Sequence, residues 1–161
     1  MTETFKQNWD WQLQHIEQIK SIIKSQAMHI IKVEVSSPED DMKHATDLDV
    51  QILGGRVAVR IRRDIRYRDL TIRAVNNGKK TEIHKLREGY GDWYLYAWTT
   101  ENKVSDWILV DISIMRLNNC FTETRPIIMN KDGCTGFVTY SIGELQRFNA
   151  VVAQSDCLGG F

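Results

Sequence analysis

Apolar residues recur along this chain at two different spacings. Over residues 8–25, Trp9, Leu13, Ile16, Ile19 and Ile23 fall three or four apart, the buried stripe of an amphipathic helix, and Lys20 and Lys24 lie off it. The period then shortens. Ile31, Val33 and Val35 alternate with Lys32 and Glu34, as in a strand, until Ser36-Ser37-Pro38 ends the run. Residues 39–45 are polar and fit either a loop or a helical turn, with Pro38 and the acids after it suited to a helix N-terminus.

Residues 47–53 and 56–63 alternate strictly around Gly54-Gly55, the pattern of two antiparallel strands joined by a two-residue turn. Such a turn sets position 53 opposite 56, and so Asp49 opposite Arg60 and Asp47 opposite Arg62. Side chains paired in this way stand about 4.5–5.5 Å apart at Cβ. The four charged residues then share one face. Leu48, Val50, Ile52, Val57, Val59 and Ile61 share the other, which is expected to pack on a helix.

Further elements follow in order. Residues 70–75 read as a third strand, closed by the turn Asn76-Asn77-Gly78. Residues 81–88 read as a short helix, stopped near Gly89 and Gly91. Asp92-Trp93-Tyr94-Leu95-Tyr96-Ala97-Trp98 and residues 107–112 read as strands, with a short helix at 113–118. Asn130-Lys131-Asp132-Gly133 lies between strand-like segments at 127–129 and 136–140. Ser141-Ile142-Gly143-Glu144 is a capping-box pattern that opens a last helix. Helices mixed with strands in this order predict an α/β (α+β) fold with a central mixed sheet flanked by helices. The expectation is one domain over residues 1–150 with a tail over 151–161. No repeat or linker interrupts it.

Composition adds limits. The chain has 161 residues, 42% of them hydrophobic and 26% charged, as in ordinary globular proteins. No apolar run approaches the ~20 residues that span a bilayer. Met1-Thr2-Glu3-Thr4-Phe5-Lys6 lacks the apolar segment of a signal peptide, so a cytoplasmic location is expected, in a host bacterium's cytoplasm if the chain is phage-encoded. Cys120, Cys134 and Cys157 have no metal-ligand spacing and read as reduced thiols. The scattered His15, His29, His44 and His84 give no zinc pattern.

Charge changes the picture more. The chain is neutral overall, yet residues 56–88 hold eleven Lys/Arg against four Asp/Glu. Arg60, Arg62, Arg63, Arg66, Arg68, Arg73, Lys79 and Lys80 are the candidate contacts of a polyanion, and DNA is the expected partner. Tyr67, set among Arg63, Arg66 and Arg68, is the candidate for stacking on a base. A membrane partner is not expected, and a homodimer is compatible with the pattern. A solvated sheet face balanced by nearby acids explains the same bases without a ligand.

Asp47 is the candidate metal ligand, because it opens a strand whose neighbour carries bases. Carboxylates hold Mg²⁺, which polarises a phosphate and activates water, while Lys or Arg stabilises the developing charge. An ion pair with Arg62 is the structural alternative. The order of helix, Asp-bearing strand, hairpin, basic strand and helix resembles the PD-(D/E)XK nuclease superfamily, with its restriction endonuclease-like fold. Ala45-Thr46-Asp47-Leu48 is similar to the Asp motif, and Arg60-Ile61-Arg62 stands where (D/E)xK would fall. The chain also resembles uncharacterised bacteriophage and prophage proteins in Ala45-Thr46-Asp47, Val59-Arg60-Ile61-Arg62-Arg63, Thr71-Ile72-Arg73, Lys80-Thr81-Glu82 and Gly91-Asp92-Trp93-Tyr94-Leu95-Tyr96.

The superfamily resemblance implies a metal-dependent DNA endonuclease. Asp47 and Glu82 would hold Mg²⁺, with Glu82 supplying the acid that Arg60 replaces, and Arg62 and Lys85 would contact the phosphate. Glu17 on the first helix would be an accessory acid. Two other readings keep the same residues: a nuclease-like fold that binds nucleic acid without cutting it, and a phage protein-interaction factor acting on a host enzyme.

Overall fold

The computed structural model describes residues 7, 10–26, 34–35, 39, 48–52, 55–63 and 67–156. Asp47, Arg66 and Cys157 lie outside the described residues, as does most of the expected strand before Ser36. Among the described residues the elements are α1 (Ile16–Gln26), β1 (Glu34–Val35), β2 (Leu48–Ile52), β3 (Gly55–Arg62), β4 (Asp69–Asn76), α2 (Glu82–Arg87), β5 (Trp93–Thr100), β6 (Lys103–Asp111), α3 (Ile112–Leu117), β7 (Ile128–Met129), β8 (Thr135–Ser141), α4 (Ile142–Arg147) and β9 (Val151–Gln154). The fold is α+β, as the order of periods predicts.

The strands form two sheets. A six-stranded sheet runs β1-β2-β3-β5-β6-β9, and a three-stranded sheet runs β4-β8-β7. Among the described residues only β3 and β5 are parallel neighbours, which makes the large sheet mixed. The alternating strands therefore bury both of their faces. Val57, Val59, Ile61, Leu95, Ala97 and Leu109 meet Ile16, Ile19 and Ile23 of α1. Ala58, Tyr94, Tyr96, Trp98, Ile108 and Val110 meet Leu70, Ile72, Val138 and Tyr140 of the smaller sheet. The buried residues of α2, α3 and α4 join this second core. Complete burial of a Leu- or Ile-sized side chain stabilises by about 1.5–3 kcal/mol, so these two layers supply the driving force for folding.

Three expectations shift. The hairpin pairs Ile52 with Gly55, so Asp49 stands opposite Ala58 rather than Arg60. A slip of two residues keeps each position on its predicted face, because side chains alternate with period two. The helix stripe also changes phase. Residues 14–15 form a turn ahead of α1, with His15 N–H bonded to the Gln12 carbonyl at 3.0 Å. That turn brings His15 and Trp11 inward and leaves Leu13 at the surface. The charged face of β3, finally, looks toward the second sheet and not into solvent.

Loop chemistry closes the turns. Asn77 and Gly78 have φ of 45° and 73°, left-handed values that Asn and Gly tolerate best. Ser141 caps α4 by accepting the Glu144 N–H at 3.2 Å, but the Glu144 carboxylate bonds Arg125 at 2.6 Å instead of completing the box.

Candidate oxyanion and nucleic-acid interface

Two arginines of β3 project between the sheets and meet β4. In the small sheet β4 pairs with β8 on one side, and among the described residues no strand covers its other side. Side chains satisfy that edge instead. Arg60 Nη1 donates to the Thr71 carbonyl at 3.2 Å, and the Arg73 N–H donates to Glu82 Oε2 at 3.0 Å. The two side chains join through an ion pair of 3.1 Å, and Tyr94 Oη donates to Glu82 Oε1 at 2.6 Å. Glu82 is 4% exposed. Thr81, the N-cap of α2, donates its hydroxyl to the Ala74 carbonyl at 3.1 Å and ties the helix start to the same strand. Burying a carboxylate is costly unless donors such as these bond it.

This arrangement bears on Mg²⁺. Both oxygens of Glu82 are held by donors, and a guanidinium stands where a cation would approach. The described residues thus do not fit a divalent ion at Glu82 without dismantling these bonds. Among the described residues no group of three or more His, Cys, Asp and Glu side chains converges. Lys85 lies on α2 one turn beyond Glu82 and is half-buried. Glu17 is on the exposed side of α1 and pairs with Lys20 at 2.9 Å. That hydrogen bond and the Lys20 charge hold its carboxyl below the usual range.

Arg62 is placed differently. Its Nη1 donates to Thr71 Oγ1 at 3.1 Å and to Tyr96 Oη at 3.2 Å, and these two hydroxyls bond each other at 2.9 Å. Tyr96 is fully buried. Among the described residues no carboxylate lies within ion-pair distance of Arg62. Two neutral oxygens occupy the hydrogens of Nη1, and among the described residues none engages the Nε–Nη2 edge of the guanidinium. That edge is the planar fork which binds carboxylate or phosphate through two parallel hydrogen bonds. A half-buried cation has lost part of its hydration, so an oxyanion delivered to that edge gains more there than at a fully exposed arginine.

The neighbouring bases divide into two groups. Arg68 pairs with the buried Asp106 at 3.3 Å, and exposed Lys80 pairs with Glu88. Arg63, Arg73 and Lys79 are exposed, and among the described residues no carboxylate lies within ion-pair distance of them. The Arg63 guanidinium lies 4.5 Å from the centre of the Trp11 ring, a cation–π contact. Tyr67 is 66% exposed, while its carbonyl accepts from the indole N–H of buried Trp98 at 3.0 Å. Trp98 stands beside Arg62 in the parallel β3–β5 register. Arg62, Arg63 and Tyr67 therefore gather at one end of β3.

Thr71, Tyr94 and Tyr96 were not singled out by the pattern of the sequence. A signal exists: Tyr94, Tyr96 and Trp98 alternate and so share a face, and a parallel pairing with β3 sets the Tyr96 hydroxyl against Arg62.

No protein-family model matches the chain, and no curated protein matches it. The chain is similar to the solved structure described as "Crystal Structure of MepB", at 10% sequence identity and a TM-score of 0.39, over 76% of this chain and 77% of that one.

Proposed function

We propose that the chain binds nucleic acid through phosphate contacts at the Arg62 end of β3, and that it holds the strand without hydrolysing it. The observation that carries this reading is the Arg62 guanidinium, anchored by Thr71 and Tyr96 with its forked edge uncommitted among the described residues. Arg63 adds a cation at the same strand end, on the α1 side. The non-hydrolytic part is supported by Glu82, whose oxygens are engaged by Tyr94, Arg73 and Arg60.

Fluorescence anisotropy with labelled DNA tests the contact. Affinity is expected to fall steeply from 50 to 300 mM salt, because each neutralised phosphate releases counterions. Arg62→Gln should weaken binding and lower the logarithmic salt slope by about 1. An affinity that does not change with salt would rule out the phosphate contact. Incubation of a mixed DNA panel with Mg²⁺ or Mn²⁺ tests the other half. Cutting by the wild type that disappears in Asp47→Ala would replace this reading with the metal-dependent endonuclease, with Asp47 and Glu82 as its acids.

A further inference from the structure

Arg62 addresses a phosphate but says nothing of the strand's form. Tyr67 does. Its ring is the most exposed aromatic among the described residues, yet its backbone is fixed from two directions. The Trp98 indole holds its carbonyl, and the next residue, Arg68, is tied to buried Asp106. An exposed ring on an anchored backbone loses little freedom when a flat partner covers it. The same anchor, Trp98, is the register neighbour of Arg62, which brings Tyr67 and Arg62 to one end of the sheet. Arg63, stacked on Trp11, is a further cation at the same strand end, turned to the α1 side.

We infer that the site takes an unpaired nucleotide strand, with a phosphate on the Nε–Nη2 edge of Arg62 and the adjoining base stacked on Tyr67. This rests on the nucleic-acid reading above and adds the substrate class. Bases within a continuous duplex present only their edges, since their faces are stacked on one another. A tyrosine ring can cover a base face only in a single strand, a loop or an end. A duplex would meet the arginines and leave Tyr67 unused.

The experiment compares a fluorescein-labelled oligothymidylate with a duplex of equal length at 50 mM salt, using the full chain. The single strand is expected to bind at least tenfold more tightly. Tyr67→Ala should weaken single-strand binding by about tenfold or more, the loss that removal of one stacked base brings. It should leave duplex binding and the salt slope unchanged. Tyr67→Trp should retain the single-strand affinity. Arg62→Gln should weaken both forms and lower the slope. Among the described residues the Tyr67 ring makes no hydrogen bond, so both Tyr67 variants are expected to melt with the wild type. Equal binding of the two forms, or a Tyr67→Ala variant with wild-type single-strand affinity, would overturn the inference while salt-dependent binding left the phosphate contact standing. Absence of binding to either form would overturn both.

Discussion

Replacing Glu82 tests whether that carboxylate serves the fold. Glu82→Ala removes three interactions at once: the 2.6 Å bond from Tyr94, the 3.0 Å bond from the Arg73 N–H and the 3.1 Å pair with Arg60. Breaking a buried ion pair by deleting one partner costs about 3–5 kcal/mol. We take about 4 kcal/mol for Glu82→Ala, since Glu82 and Arg60 are 4% and 14% exposed and solvent screens them little. Glu82→Gln behaves differently. Its oxygen can accept from Arg73 and Arg60, and its amide can donate to Tyr94 Oη, which turns to accept. The hydrogen bonds stay while Arg60 loses its counter-charge, a smaller loss of about 2 kcal/mol. Urea denaturation measures both variants. For a chain of this size each kcal/mol moves Tm by about 2–4 °C, which gives roughly 8–16 °C for alanine and about half that for glutamine. An alanine variant within 1 kcal/mol of wild type would refute the reasoning, as would equal losses in the two variants.

Two thiols and one turn give further expectations. Burial pushes the Cys120 thiol up to about 11, whereas Cys134 is exposed. At pH 8 peptide mapping after alkylation should find Cys134 modified rapidly and Cys120 only as fast as the protein unfolds. The stability that comes from burying the neutral Cys120 thiol is complete below the ordinary thiol range and is lost as pH rises toward 11. Fast labelling of Cys120 in the native state would contradict this. In the 130–135 turn, Asp132 accepts the Thr135 hydroxyl and the N–H groups of Thr135 and Cys134, and these bonds hold its carboxyl below the usual range. The turn's stability is therefore present above the ordinary aspartate range and is lost as pH falls through the depressed value. The Cys134 and Thr135 amide signals should titrate in NMR below the ordinary aspartate range, and titration at the ordinary value would count against these bonds.

Local patterns in the sequence foretell the elements well, because burial on one face imposes a period that can be read directly. The helix stripe of Ile16, Ile19 and Ile23 and the alternation through β3 survive unchanged. Pairings across long stretches of chain are less visible. Nothing local indicates that β3 takes β5 as a parallel neighbour, or that β4 leaves the large sheet to join β8. That departure turns the arginine face of β3 inward and makes Glu82 the partner of Arg60. The candidate site followed the same division. Arg62, Arg63 and Tyr67 stood out by charge and composition, but Thr71 and Tyr96, which orient Arg62, are brought there only by tertiary pairing. The two-residue slip in the hairpin has a similar origin, since a Gly-Gly pair suggests a tight turn without specifying which residues flank it.

The route of β4 has a consequence for how the chain folds. Its strand partner β8 begins at Thr135, some sixty residues later, and β3 must likewise wait for β5 beyond α2. Contacts so distant in sequence are slow to form, because loop-closure entropy is lost before any contact is gained. Until β8 arrives, the Leu70-Thr71-Ile72 segment is a naked β-prone stretch, the kind that pairs with a second chain. Arg60 and Glu82 lie only ten or so residues to either side of it. Their ion pair can close over one edge of β4 early, well before the strand has its permanent neighbour. In the folded chain the same two side chains occupy the Thr71 carbonyl and the Arg73 N–H, so that edge offers a second chain fewer unpaired groups.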